Sequence, residues 1–309
     1  MLKKVLITGI HGFCAKRLAE RLFTEGSVEI HGMDVSQAPP EGFHLDGYTK
    51  VDITDKFRLG GAVSAIRPDM VFHLAGVTKG DASDVYHVNF LGSVSLMESI
   101  CRWAPQARML MVGSAAEYGH VLEREMPVRE THSCNPYTPY GISKYAATLA
   151  ALEYARRGLH VSVVRPFNVV GPGIPEAYVT GALVARIRRS LHDDSDEIRV
   201  GNLKSRRDFI YVDDAVEAYI RILDGGFRGE IFNICSGKAL EIQELAEGLL
   251  AHSLRPLRLV VDPSLVRSNE VDVMYGSFEK AASAFGFKPL TSIKSALSAI
   301  WQKDIEGLQ

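Results

Sequence analysis

The sequence offers little from which to build a covalent or membrane-bound framework: it has four cysteines in 309 residues, no Cys-x-x-Cys spacing, and no apolar run approaching a bilayer span. Cys14, Cys101, Cys134 and Cys235 are scattered, mostly beside apolar runs. That pattern excludes a disulfide scaffold and reads as reduced thiol used as a small apolar side chain, the habit of a cytoplasmic protein. Lys3 and Lys4 are followed only by Val5-Leu6-Ile7 before Thr8-Gly9, too short for a signal-peptide core. An excess of either charge is also missing. With 35 basic and 37 acidic residues the net charge is -2, so nothing draws the whole chain to nucleic acid or to an anionic membrane, and phosphate binding has to be local. There is no internal repeat and no low-complexity segment. No metal site is expected: His192-Asp-Asp-Ser-Asp-Glu197 reads as a solvated loop.

What is present is alternation. Strand patterns at Val5–Thr8, Val28–Met33, Gly47–Val51, Met70–Leu74, Arg108–Val112 and Val161–Arg165 are separated by helical patterns at Ala15–Phe23, Phe57–Ile66, Val85–Trp103 and Tyr140–Arg157. This predicts an α/β fold, a parallel sheet with helices on both faces. After Arg165-Pro166 the regularity weakens, with a loop at Gly171-Pro172-Gly173 and helices at Tyr178–Leu191 and Val212–Leu223. A strand at Ile231–Ile234 marks a return to the sheet. The expected division is a dinucleotide-binding unit over 1–167, with a return segment near 207–234. The remainder, 168–206 and 235–309, forms a smaller substrate-binding unit.

Between the first strand and first helix stands Thr8-Gly9-Ile10-His11-Gly12-Phe13-Cys14-Ala15. Small residues at such a turn let the backbone approach a pyrophosphate, which the helix N-terminus then stabilises. Asp34, about 20 residues on, stands where a carboxylate accepts hydrogen bonds from a ribose diol and repels a 2′-phosphate, favouring NAD over NADP while leaving NADP open. Asp52, with Ile53 after it, could receive the adenine amino group or equally cap the next segment. Tyr140 and Lys144 are four apart on a helix and therefore neighbours. A cation beside the phenol is expected to lower its pKa toward that of a working acid or base, although a solvated helix face has the same spacing.

Thr8-Gly9-x-x-Gly12-x-x-Ala15, His73-Leu-Ala-Gly76, Asn89-x-x-Gly92, Ser114 before Tyr118-Gly119, Tyr140-x-x-x-Lys144 and Arg165-Pro-Phe-Asn168 occur in the order of the extended short-chain dehydrogenase/reductase family, which the chain resembles along nearly its whole length. The resemblance implies a Rossmann-type doubly wound sheet with a smaller C-terminal α/β substrate-binding domain. It also implies an enzyme in which Ser114 polarises the reacting sugar oxygen, Tyr140 is the acid/base, and Lys144 tunes Tyr140 and holds the nicotinamide ribose. Cofactor contacts are then expected from Gly9, His11, Gly12, Phe13, Asp34, Asp52, Ile53, Leu74, Ala75, Gly76, Asn89 and Phe167. His73 reads as a buried, satisfied histidine rather than a catalytic one.

Val200–Phe209, Phe232–Gly237 and Arg267-Ser-Asn-Glu270 resemble the GDP-mannose branch of that family, its 4-keto-6-deoxymannose reductases and its 4,6-dehydratases. There the Arg meets the diphosphate and the Glu the nucleotide ribose, so Asn168, Arg207, Arg267 and Glu270 join Ser114 as expected substrate contacts. A turn role for Asn168 and an Arg207–Asp208 ion pair are the alternatives. Dehydration needs a further base, which dehydratases carry two positions before the Tyr of Tyr-Gly; here that position is Ala116. Glu117 is one residue off and in an extended segment would face the other way. Reduction of a nucleotide-linked 4-keto-6-deoxyhexose is the preferred reading, ahead of 4-epimerisation, dehydration and a non-catalytic dinucleotide sensor. The resemblance also implies a homodimer built on the two long helices.

Overall fold

The computed structural model describes residues 2–266 and 271–308. In chain order the elements begin β1 (Lys3–Thr8), α1 (Phe13–Glu25), β2 (Val28–Asp34), β3 (Gly47–Lys50), α2 (Lys56–Ile66), β4 (Met70–His73), α3 (Ala82–Tyr86) and α4 (Ser93–Trp103). They continue with β5 (Arg108–Val112), α5 (Pro139–Arg156), β6 (His160–Pro166), β7 (Asn168–Val170), α6 (Val179–His192), β8 (Glu197–Val200), β9 (Arg206–Arg207), β10 (Phe209–Tyr211) and α7 (Val212–Asp224). β11 (Ile231–Ile234), β12 (Leu240–Glu241), α8 (Ile242–Leu250), β13 (Arg258–Val261), β14 (Val273–Met274), α9 (Glu279–Phe285) and α10 (Ile293–Asp304) follow.

Seven strands form one parallel sheet in the order β11-β6-β5-β4-β1-β2-β3. The order reverses between β1 and β4, and a crevice beyond the C-terminal strand ends at that reversal is where ligands bind in such sheets. Strand side chains alternate between faces, and the sheet splits them accordingly. Val5, Ile7, Phe72 and Leu110 join one core with α1 and α7, while Leu6, Val71, Met109 and Met111 join the other with α2, α4 and α5. A third apolar cluster, drawn largely from α6, β8, α8 and α10, lies among small two- and three-stranded sheets.

The expected long helix over Val85–Trp103 is interrupted. A π-helical segment, His87–Gly92, joins α3 to α4. Such wide turns are rare and concentrate at functional sites. α5 begins with two start signals: Thr138 Oγ1 accepts from Gly141 N–H at 3.1 Å, and Pro139 occupies the first turn. They fix the helix end that carries Tyr140.

Candidate active site

At the end of β1, Gly9 adopts φ +70°, and a Cβ there would lie 2.7 Å from the Ala75 backbone. Only glycine meets both demands, and the turn is thereby pressed onto Leu74-Ala75 at the end of β4. Gly12 caps α1 with no side-chain hydrogen bond, so the first-turn amides keep their donors for a ligand. Asp34 ends β2 half-buried. Its Oδ2 accepts from His11 N–H at 3.1 Å and lies 3.4 Å from His11 Nδ1, and its Oδ1 accepts from Ser36 N–H and Oγ. Asp52 is exposed and accepts from Thr54 N–H and Oγ1 at 2.9 and 2.7 Å, the local turn that capping requires. Ile53 is buried against Gly92, where a Cβ would sit 2.7 Å from it.

His73 is satisfied at both ring nitrogens, as expected. Ser93 Oγ donates to the Asn89 carbonyl at 2.6 Å and therefore accepts from His73 Nε2–H at 2.8 Å, which leaves Nδ1 to accept from Thr8 Oγ1 at 2.7 Å. Burial, helped by the Lys144 charge, lowers this imidazole to about 3, so it stays neutral. Asn89 sits on the π-helical segment. Its Oδ1 accepts from Val77 N–H at 2.8 Å, and its Nδ2 donates to Val77 O at 2.9 Å and to Ser143 Oγ at 3.0 Å. Ser143 in turn donates to Tyr140 O at 2.7 Å. Asn89 thus ties the loop after β4, beside Gly76, to the first turn of α5.

Ser114 follows β5 and caps a single 3₁₀ turn, Ala115–Tyr118. Its Oγ accepts from Ala116 N–H at 3.1 Å, and the hydroxyl lies near enough to the Tyr140 phenol to lower its pKa in part. Lys144 is buried, donates to Val112 O at 2.8 Å, and its Nζ stands 6.0 Å from the Tyr140 ring centre. A Cβ on Gly76 would be 3.3 Å from that Nζ. The three residues therefore converge at the C-terminal end of the sheet.

Their protonation differs from the expectation. Packing around its hydroxyl, with Tyr178 as the next contributor, pushes the half-buried Tyr140 phenol well above its ordinary value, and Ser114 only partly offsets this. Burial lowers Lys144 to about 8, against a partial upward pull from Glu117. Desolvation is the dominant cause, so the direction is the reverse of the one expected from the spacing of Tyr140 and Lys144.

The segment holding Glu117 is also not extended. On the 3₁₀ turn its carboxylate is fully buried, with Oε1 accepting from Ser114 N–H at 2.9 Å and Oε2 bound by Arg165 Nε at 2.8 Å. The sequence pattern Ser-x-x-Glu at 114–117 is that of a capping box and carried this information. Tyr178, before α6, and Cys14, on α1, are further neighbours of Tyr140 that the motifs did not single out.

Asn168 donates through Nδ2 to Asp208 O at 2.7 Å, and Phe167 is packed against Gly276 and Cys235. Arg207 donates to the Arg206 and Asp272 carbonyls at 2.9 and 3.4 Å. Buried Asp208 accepts from Ser236 N–H and Oγ and from the Gly237 and Gly276 amides, which fasten the β11 exit to the β14 exit. Arg267 and Glu270 lie outside the described residues. Among those described, no helix is long and apolar enough to cross a membrane, and no cluster of His, Cys, Asp and Glu could hold a metal.

The model of the NAD dependent epimerase/dehydratase family matches residues 5–235. GDP-6-deoxy-D-mannose reductase of Pseudomonas aeruginosa is 33% identical over 217 residues, 69% of this chain and 71% of that one. GDP-6-deoxy-D-talose 4-dehydrogenase of Aggregatibacter actinomycetemcomitans is 25% identical over 97% of both chains. The solved structure of RMD from Pseudomonas aeruginosa in complex with NADPH superimposes with a TM-score of 0.84 at 29% identity, covering 99% of each chain.

Proposed function

The chain belongs to the NAD-dependent epimerase/dehydratase family, a group of NAD(P)-dependent enzymes of nucleotide sugars, and within it we propose that this protein reduces the C4 keto group of a nucleotide-linked 4-keto-6-deoxyhexose. The sugar nucleotide best supported is GDP-4-keto-6-deoxymannose. The observation that carries this reading is the convergence of Ser114, Tyr140 and Lys144 at the C-terminal end of the sheet. Carbonyl reduction consumes one proton at the developing alkoxide, and the Tyr140 phenol is the group placed to supply it. The Ser114 hydroxyl is the donor that stabilises the oxyanion meanwhile.

Dehydration finds less support. It needs a base for the C5 proton, yet Ala116 occupies the expected position and the nearby Glu117 carboxylate is engaged at both oxygens by Ser114 and Arg165.

A reduced nicotinamide dinucleotide, when bound, would supply the hydride. The turn Gly9, His11, Gly12 and Phe13 fits its pyrophosphate, because Gly9 leaves no room for a side chain and the first amides of α1 have no side-chain cap. Asp34 is assigned to the adenosine ribose, Asp52 and Ile53 to the adenine, and Leu74, Ala75, Gly76, Asn89 and Phe167 to the lining. Lys144 is assigned to the nicotinamide ribose. Asp34 favours NADH, in contrast to the NADPH held by the Pseudomonas aeruginosa structure. Asn168 and Arg207, with Arg267 and Glu270, are assigned to the sugar nucleotide. The third apolar cluster supports a separate substrate-binding unit over 168–206 and 235–309.

The deciding experiment offers GDP-4-keto-6-deoxymannose with NADH and with NADPH and follows cofactor oxidation by absorbance. Turnover faster with NADH is expected. Interconversion of hexose epimers without net oxidation would replace the reductase reading by a 4-epimerase, and nucleotide binding without turnover across a sugar-nucleotide panel by a sensor. A homodimer is proposed on exposed Leu91, Ile142 and Leu149, on the π-helical segment and α5. A monomer mass in light scattering would reject it.

A further inference from the structure

Glu117 and Arg165 form a buried ion pair that the chemistry of reduction does not call for. The side chains are 0% and 3% exposed. A well-packed apolar pair of similar volume is often at least as stable as such an ion pair, so filling space does not explain a carboxylate here. What an apolar side chain could not do is accept the Ser114 N–H, as Glu117 Oε1 does at 2.9 Å.

A second observation bears on the same atom. At Gly113 a Cβ would lie 2.2 Å from Glu117 Oε1, although the backbone there is not in the left-handed region. Glycine is needed at that position to admit the carboxylate.

The support continues outward. Arg165 lies 4.7 Å over the Tyr118 ring, Tyr118 donates to Asn233 Oδ1 at 2.7 Å, and Asn233 donates through Nδ2 to Val128 O at 3.0 Å. The chain of contacts runs from the end of β5 across β6 to β11.

We propose that Glu117 and Arg165 are a positioning pair for Ser114: the carboxylate caps the serine amide, Arg165 holds that carboxylate in place through Nε at 2.8 Å, and the Ser114 hydroxyl is thereby set beside Tyr140 and the reacting oxygen. The inference rests on the roles given above to Ser114 and Tyr140. With Oγ accepting from Ala116 N–H and the main chain tied to Glu117, the hydroxyl is fixed at the turn beside Tyr140, its own proton free for the reacting oxygen. Tyr140 is also faced by Tyr178, Cys14, Lys144 and the Glu117 charge itself. A fair test must therefore hold the charge constant.

Two neutral double variants do so. Glu117→Gln with Arg165→Met retains an acceptor for Ser114 N–H, whereas Glu117→Leu with Arg165→Met removes it, and neither strands a charge. The expected result is that the Gln/Met protein keeps kcat within about threefold of the wild type, while the Leu/Met protein loses about tenfold or more with KM unchanged, a loss not added to by Ser114→Ala.

A readout without substrate separates this inference from the reductase reading. In protein carrying ¹³Cζ-tyrosine, the Tyr140 resonance, assigned with Tyr140→Phe, should move in the Leu/Met variant as it does in Ser114→Ala and stay in place in the Gln/Met variant. Equal kcat for the two doubles, or a Tyr140 resonance indifferent to which is present, would overturn the positioning role even if the reductase assignment stands. A shifted resonance in a protein that does not reduce the keto sugar would uphold it while the assignment falls.

Discussion

Two buried polar clusters brace the proposed catalytic residues, and they are built on opposite principles. Thr8, His73, Ser93, Asn89 and Ser143 make a neutral chain from β1 through β4 and the π-helical segment to α5. Glu117, Arg165, Tyr118 and Asn233 make an ionised one from the end of β5 to β11. Each neutral member gives and receives ordinary hydrogen bonds, so losing one leaves a single unpaired dipole. In the ionised cluster, losing one partner leaves a whole charge in a region without water. The first should therefore fail by degrees and the second abruptly.

The point where the clusters meet gives the largest expected effect. Tyr140→Phe removes the hydroxyl of the residue whose main chain the neutral cluster holds and beside which the ionised cluster sets Ser114, and kcat should fall about a thousandfold, with cofactor affinity, measured by titration, unchanged. Full retained turnover would mean that the clusters converge on something other than the proton donor.

Arg165→Met comes next. It strands the Glu117 carboxylate, and chemical denaturation should report a loss of about 3–5 kcal/mol. A loss below about 1 kcal/mol, in the range of an exposed ion pair, would erase the distinction between the clusters.

Lys144 sits between them and titrates against its own burial. Its folded-state pKa of about 8 lies below the ordinary 10.5, so between those values the unfolded chain binds the extra proton and stability rises with pH. The contribution is complete above 10.5 and lost as pH falls through 8. Relative to Lys144→Met, the wild type should gain up to about 3 kcal/mol between pH 7 and pH 11. A flat difference across that range would show that Lys144 is not desolvated.

The smallest effect belongs to the neutral cluster. Thr8→Val leaves His73 Nδ1 without a donor and should cost about 1–3 kcal/mol, with the turn at Gly9 still formed. A cost equal to that of Arg165→Met would again break the contrast.

Much of this was legible in the sequence because it is local. Periodicity located the strands and helices of the first half to within a few residues, since each buries a face set by its own repeat. Gly9, Tyr140 and Lys144 were singled out by local spacing only in company with the other motifs of the resemblance, since a solvated helix face shares the spacing of the last two. What was not legible depends on distant partners. Glu117 was legible in part, through the capping-box spacing from Ser114, but its partner Arg165, 48 residues on, is visible only in the fold. The protonation of Tyr140 was misjudged because spacing reports the cation four residues away but not the packing around the hydroxyl, which decides the sign. The π-helical segment has no periodic signature in so short a run.

That segment sets a length constraint on the chain. Each of its turns closes one residue later than an α-turn, so residues 87–92 hold one residue more than a regular helix would need to join α3 to α4. Deleting one residue there would let the helix heal into a regular one and improve its backbone hydrogen bonding. The same deletion would rotate Asn89 by about 100°, away from Val77 and Ser143. A shorter chain at this place would make a more regular helix and lose the tie that Asn89 makes between the loop after β4 and the start of α5.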